Sequence, residues 1–88
     1  MSRIRKTIMK DSTLHVKLKW TRGERSITAS VHLGQLAKRV GIKHIQNSVE
    51  WYTLRYKKMD NPDSFFAAIQ DDLTEQLMKE GYLVKPTL

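Results

Sequence analysis

The chain has 88 residues, 40% of them hydrophobic and 28% charged, with a formal net charge of +7. That length supports one domain around a single modest core. The absence of cysteine excludes disulfides, thiolate metal sites and cysteine nucleophiles. No apolar run approaches the length of a membrane span, and the opening MSRIRKTIMK lacks the apolar centre of a secretory signal, so a cytoplasmic protein is the default expectation.

The charge is unevenly placed. Residues 1–58 carry 14 Lys and Arg against Asp11, Glu24 and Glu50, whereas residues 59–88 carry Lys79 and Lys85 against six acids. A body polarised in this way attracts polyanions, and nucleic acid is the commonest of these in a cell.

Residues 1–12 read as a basic N-terminal arm, in which Arg3, Arg5 and Lys6 are candidate phosphate contacts. Residues 13–88 read as a single α+β domain. The stretch TLHVKLKWTRGERSITASV, residues 13–31, alternates strictly. Leu14, Val16, Leu18 and Trp20 share one parity, and His15, Lys17 and Lys19 share the other. Beyond Arg22 and Gly23, Ile27, Ala29 and Val31 alternate with Ser26, Thr28 and Ser30. This predicts a β-hairpin. A turn centred on Arg22-Gly23 pairs Leu18 with Ile27, Val16 with Ala29 and Leu14 with Val31, so that apolar meets apolar throughout.

The other face of that hairpin sets Lys17 and Lys19 beside hydroxyls, a donor set suited to phosphate oxygens. A two-stranded ribbon also fits the major groove of B-DNA. The plainer alternative is a solvated sheet face of the usual kind. Arg22 and Arg25 extend the candidate surface to the hairpin tip.

LGQLAKRV, residues 33–40, predicts a short helix. Leu33, Leu36, Ala37 and Val40 form its apolar stripe, Lys38 and Arg39 lie near its end, and Gly41 stops it. The string GQLAKRVGI resembles the first helix and turn of helix-turn-helix regulators of the MerR type, with Ala37 as the small residue, Gly41 as the turn glycine and Ile42 as the apolar residue that follows. The likeness ends there: Asn47 stands where a second helix would place an apolar side chain, so no recognition helix is expected. Lys43 joins the basic candidates.

SVEWYTLRYKK, residues 48–58, has Val49, Tyr52 and Tyr56 at helical spacing, but its aromatic and β-branched content favours a third strand. Such a strand shows Tyr52, Leu54 and Tyr56 on one face, and Trp51, Thr53, Arg55 and Lys57 on the other. The last element is a helix: Asn61 caps it, Pro62 occupies its first position, and Asp63 suits its N-terminal dipole. Phe66, Ile69, Leu73 and Leu77 form its apolar stripe, Asp71, Asp72 and Glu75 face outward, and Gly81 ends it. The tail YLVKPTL is expected to run extended along or across an edge.

His15, His32 and His44 match no metal-ligand spacing, and no glycine loop cradles a phosphate, so no cofactor or metal is expected. His15 and His32 can approach across the hairpin base beside Lys17, an arrangement compatible with general acid–base cleavage of RNA. Solvated polar positions are the commoner meaning of such a pair. The sequence reading is therefore an α+β domain in which an antiparallel hairpin and a third strand pack with a short helix and a C-terminal amphipathic helix. Its expected role is that of a small, basic, non-enzymatic nucleic-acid-binding protein, a regulatory or accessory factor whose composition resembles that of phage and mobile-element proteins. The partner is DNA, RNA or a nucleoprotein complex. The alternative is a protein-binding inhibitor or adaptor acting through its segregated charge, and self-association into a homodimer is a third use of that segregation.

Overall fold

A computed structural model describes residues 13–84. The basic arm, with Arg3, Arg5 and Lys6, and the last four residues lie outside the described residues. The elements run β1 (Thr13–Arg22), β2 (Arg25–Gln35), α1 (Ile42–Arg55) and α2 (Pro62–Lys79), an α+β arrangement. Among the described residues, no helix is long and apolar enough to cross a membrane.

β1 and β2 form an antiparallel hairpin whose register pairs Trp20 with Ile27, Leu18 with Ala29 and Val16 with Val31. The turn is Gly23-Glu24, closed by Arg22 and Arg25. It sits one residue later than the Arg22-Gly23 turn expected from the apolar pairing. The cause is conformational. Gly23 has φ +60° and no other residue of the turn has a positive φ, which suits the hairpin turn that takes glycine at its first central position. Moving the turn by one residue shifts each pairing by two, so every side chain stays on its expected face.

Near the open end, the register steps between Leu14 and His15, and Gly34 takes up a φ of +129°. Leu33 is the extra residue of this bulge. It remains buried, and His32 comes directly opposite His15.

α2 forms as its sequence predicts. The Asn61 side chain accepts a hydrogen bond from the Ser64 N–H at 3.1 Å, with Pro62 at the first helical position. Phe65, Phe66, Ile69, Leu73 and Leu77 pack with Val16, Leu18 and Trp20 of β1, Val31 and Leu33 of β2, and Leu83. The helix ends as the chain turns at Gly81, φ +84°, where the Tyr82 N–H donates to the Leu77 carbonyl at 2.9 Å.

That reversal displaces the helix expected over residues 33–40. Leu83 bridges Leu36 in antiparallel fashion, the Val84 N–H donates to the Gln35 carbonyl, and the Ala37 N–H donates to the Tyr82 carbonyl. Backbone groups that a helix would have used internally pair with the tail instead, and β2 runs on to Gln35. Leu33, Leu36 and Val40 still join the core or its margin. Ala37, the fourth residue of the expected stripe, is exposed, and the segment is not helical. With no first helix, the helix-turn-helix resemblance has no structural counterpart.

The third strand expected over residues 48–58 is likewise replaced, by α1 and the turn after it. Ile45, Val49, Tyr52 and Tyr56 recur at helical spacing and pack against the core margin formed with α2. Ser48 is buried between the helices and accepts from Gln76 Nε2 at 3.0 Å. Tertiary packing of this stripe overrides the β-propensity of its aromatic and branched residues. Among the described residues the sheet has two strands.

The hairpin tip is fastened to the connection between the helices. The Trp20 indole N–H donates to the Met59 carbonyl at 3.0 Å, and Arg22 pairs with Asp60 while also donating to the Lys57 and Met59 carbonyls. Leu73 is fully buried, so Leu73→Ala is expected to lower unfolding free energy by about 2–5 kcal/mol in urea titrations. Leu54 is 59% exposed on α1, and Leu54→Ala should stay within about 0.5 kcal/mol of the wild type.

Candidate functional site

α2 covers the inner face of the hairpin and leaves the outer face to solvent. His15, Lys17 and Lys19 are exposed there, beside exposed Ser26, Thr28, Ser30 and His32. Lys17 pairs with Ser30 and Lys19 with Thr28 across the strands. The polar face expected from alternation therefore exists, with each lysine next to a hydroxyl.

A cleft of about 640 Å³ separates β1 from α1. Val16, Lys17 and Lys19 line it on the strand side, and Ile45, Asn47, Val49, Glu50 and Thr53 are among its residues on the helix side. A smaller cavity of about 150 Å³ continues toward the tip, between Lys19, Thr21, Thr53 and Lys57. Lys19 lines both cavities, with Lys17 beside it in the cleft and Lys57 in the smaller cavity, although 38 residues separate Lys19 from Lys57. Among the described residues, none of the three takes part in an ion pair.

The remaining candidates divide. Arg22 is exposed, yet its guanidinium is engaged by Asp60 and two carbonyls, so its first role is to fasten the tip. The guanidinium of Arg25 lies 5.5 Å from the centre of the Trp20 ring, and that of Arg55 lies 5.7 Å from the centre of the Tyr56 ring. Both keep their charge on the surface. Lys38 sits over Tyr82 at 5.2 Å, far along the chain from the hairpin lysines and beside the end of α2. Arg39 and Lys43 are exposed in the connection to α1 and in its first turn. Lys38, Arg39 and Lys43 thus belong to a second basic zone.

Trp51 was expected to share a strand face with Arg55 and Lys57. On the helix it stands 61% exposed, one turn from Arg55, while Lys57 turns toward Lys19. Sequence reasoning missed the contribution of α1 to the opening, because Asn47, Glu50 and Thr53 gather beside β1 only when residues 42–55 are helical.

The acids of α2 are also less free than expected. Asp72 does not simply face outward: it accepts a hydrogen bond from the Tyr56 hydroxyl at the contact between the helices. Glu80 pairs with His44 at 2.8 Å. That hydrogen bond holds the Glu80 carboxyl below its ordinary value, against the opposing effect of burial. Asp71 and Glu75 remain exposed, on the side of α2 turned away from the hairpin.

The imidazoles of His15 and His32 lie 5.1 Å apart at a 60° tilt, closer than an adjacent-row placement would bring them. Both are exposed, and neither bonds a carboxylate among the described residues. The described residues contain no group of three or more His, Asp or Glu able to hold a metal ion.

The bond to Asp72 raises the Tyr56 phenol above its ordinary value of 10.0, helped by burial and by the carboxylate charge. The folded state therefore holds this proton more tightly than the unfolded chain. Its stabilisation is complete below pH 10 and is lost as pH rises through the folded value. Thermal melts are expected to fall more steeply above pH 10 for the wild type than for Tyr56→Phe.

No protein family, curated protein or solved structure matches the chain.

Proposed function

We propose that the protein binds nucleic acid through the outer face of its hairpin and the adjoining rim of the β1–α1 cleft, without catalysing a reaction. The observation that carries this reading is the pairing of Lys17 with Ser30 and of Lys19 with Thr28 on the exposed outer face, with Lys57 beside Lys19 at the adjoining cavity. Among the described residues none of the three lysines takes part in an ion pair, although Glu50 lines the far wall of the cleft. Lysines beside Ser and Thr donors can hold successive phosphates. Exposed Asp71 and Glu75 lie on the far side of α2, away from a polyanion on the hairpin, which leaves Glu50 as the acid that lines the cleft itself. Such a protein would act as a regulatory or accessory factor, of the kind suited to phages and mobile elements.

A protein-binding role is the second reading. The segregated charge it would use is thinned on α2 by the engagement of Asp72 and Glu80. A different feature favours it: the outer edge of β1, which no backbone hydrogen bond reaches among the described residues.

The nucleic-acid reading is tested by titrating duplex DNA, single-stranded DNA and structured RNA across a salt series. Affinity should fall steeply with salt, with a log–log slope for duplex DNA of about −0.9 per phosphate neutralised. Lys17→Gln with Lys19→Gln should flatten that slope by up to about two units at unchanged melting temperature. Arg39→Gln with Lys43→Gln, the same charge change in the second basic zone, should flatten it less. Salt-insensitive binding, or no binding to any of the three, rejects the reading. Equal losses from the two pairs would reduce it to diffuse attraction.

A further inference from the structure

Among the described residues, two helices form one layer and two strands form the other. α2 packs under the hairpin, while α1 packs on α2 and makes only sparse contact with either strand. Neighbouring helices lie about 8–10 Å apart and neighbouring strands about 4.8 Å apart, so a two-helix layer can floor more than two strands. α1 thus projects beyond the edge of β1, and the cleft of about 640 Å³ fills the space where a further strand would lie. Ile45 and Val49, both partly exposed, form its apolar floor.

The backbone of β1 is oriented for such a strand. Arg22 and Arg25 close a two-residue turn, which makes theirs a hydrogen-bonded pair. Alternation then directs the N–H and C=O groups of Trp20 and Leu18 to β2, and those of Thr21, Lys19 and Lys17 to the outer edge. Among the described residues, no backbone hydrogen bond reaches that edge. The same three residues line the cleft and the cavity beside it.

We propose that the cleft accepts one extended strand from a protein partner whose residues alternate between apolar and acidic. Main-chain bonds to Lys17, Lys19 and Thr21 would add it to the sheet, as in other cases of strand addition. Its apolar side chains rest on Ile45 and Val49, and its acidic ones lie beside Lys17 and Lys19 on the outer face. Glu50 lines the opposite wall and confines acidic groups to the lysine side. A second β1 edge would set lysine against lysine, and residues 1–12, with four cations and one acid, would do much the same. The charge therefore selects an acidic partner. The strand would share Lys17 and Lys19 with the proposed nucleic-acid face but adds the main chain of β1, so amide protection reads it separately from duplex titration.

The test is hydrogen exchange by NMR on the isotope-labelled full chain, titrated with the capped peptide Val-Glu-Val-Glu-Val-Glu-Val and with its counterpart carrying Lys for Glu. The amides of Lys17, Lys19 and Thr21 should exchange freely in dilute protein and become protected by the acidic peptide, which should bind at least about tenfold more tightly than the basic one. Lys17→Glu with Lys19→Glu should invert that preference, and the comparison of the two peptides on wild type stands even if this variant folds poorly. Failure of the acidic peptide to protect the three amides, or equal affinity for both peptides, overturns the proposal. So does protection already present in the free protein, which would assign the edge to this chain's own residues or to a second copy. Protection by single-stranded oligothymidine and not by the peptide would assign the cleft to nucleic acid.

Discussion

The contact between the apolar stripe of α2 and the inner face of the hairpin governs everything else in this molecule. A lone two-stranded hairpin is marginal in water. Here Leu18 and Trp20 are sealed against Phe65, Ile69, Leu73 and Leu77, and Ile69, Leu73 and Leu77 are fully buried. Each large apolar side chain so removed from water contributes about 1.5–3 kcal/mol. Because strand residues alternate, committing one face to α2 commits His15, Lys17 and Lys19 to solvent. The exposure of this polar face follows from the core by geometry.

The smaller fastenings then set where the charges lie. Trp20 and Arg22 bind the tip to the Met59–Asp60 connection, so the end of α1 is drawn toward β1 and Lys57 comes to face Lys19. The tail pairs with the end of β2 through Leu36 and Leu83, holding Lys38 beside Tyr82 at the other extreme. Asp72 and Glu80 are spent on Tyr56 and His44. The basic half of the sequence is thereby separated into two zones, while the exposed acids Asp71 and Glu75 point elsewhere.

Much of this was legible in the sequence where a pattern had one physical interpretation. The hairpin faces and the Asn61-Pro62 start of α2 are of that kind. The turn moved by one residue because the demand of Gly23 for the first central position outweighed the apolar pairings, which a two-residue shift left equally apolar. Residues 33–40 and 48–58 were misread for opposite reasons. In the first, a helical stripe of leucines was also compatible with a bulged strand end, and the deciding partner, Leu83, lies 47 residues beyond Leu36 in the chain. In the second, the helical spacing of Val49, Tyr52 and Tyr56 is visible in the sequence, but strand-favouring residue types outweigh it until α2 is present to receive that stripe. The cleft could not be anticipated, since it exists only between a strand and a helix that local preference did not place there.

The central proposal is that α2 polarises the molecule, so that a polyanion would meet the outer hairpin face and the α1 rim. NMR chemical-shift mapping with a short duplex at low salt tests it most directly. The account predicts that backbone amides of Lys17, Lys19, Thr28, Ser30 and Lys57 shift together, while those of Asp71 and Glu75 stay in place. Shifts concentrated on Arg39 and Lys43, or spread evenly over both sides of α2, would contradict it.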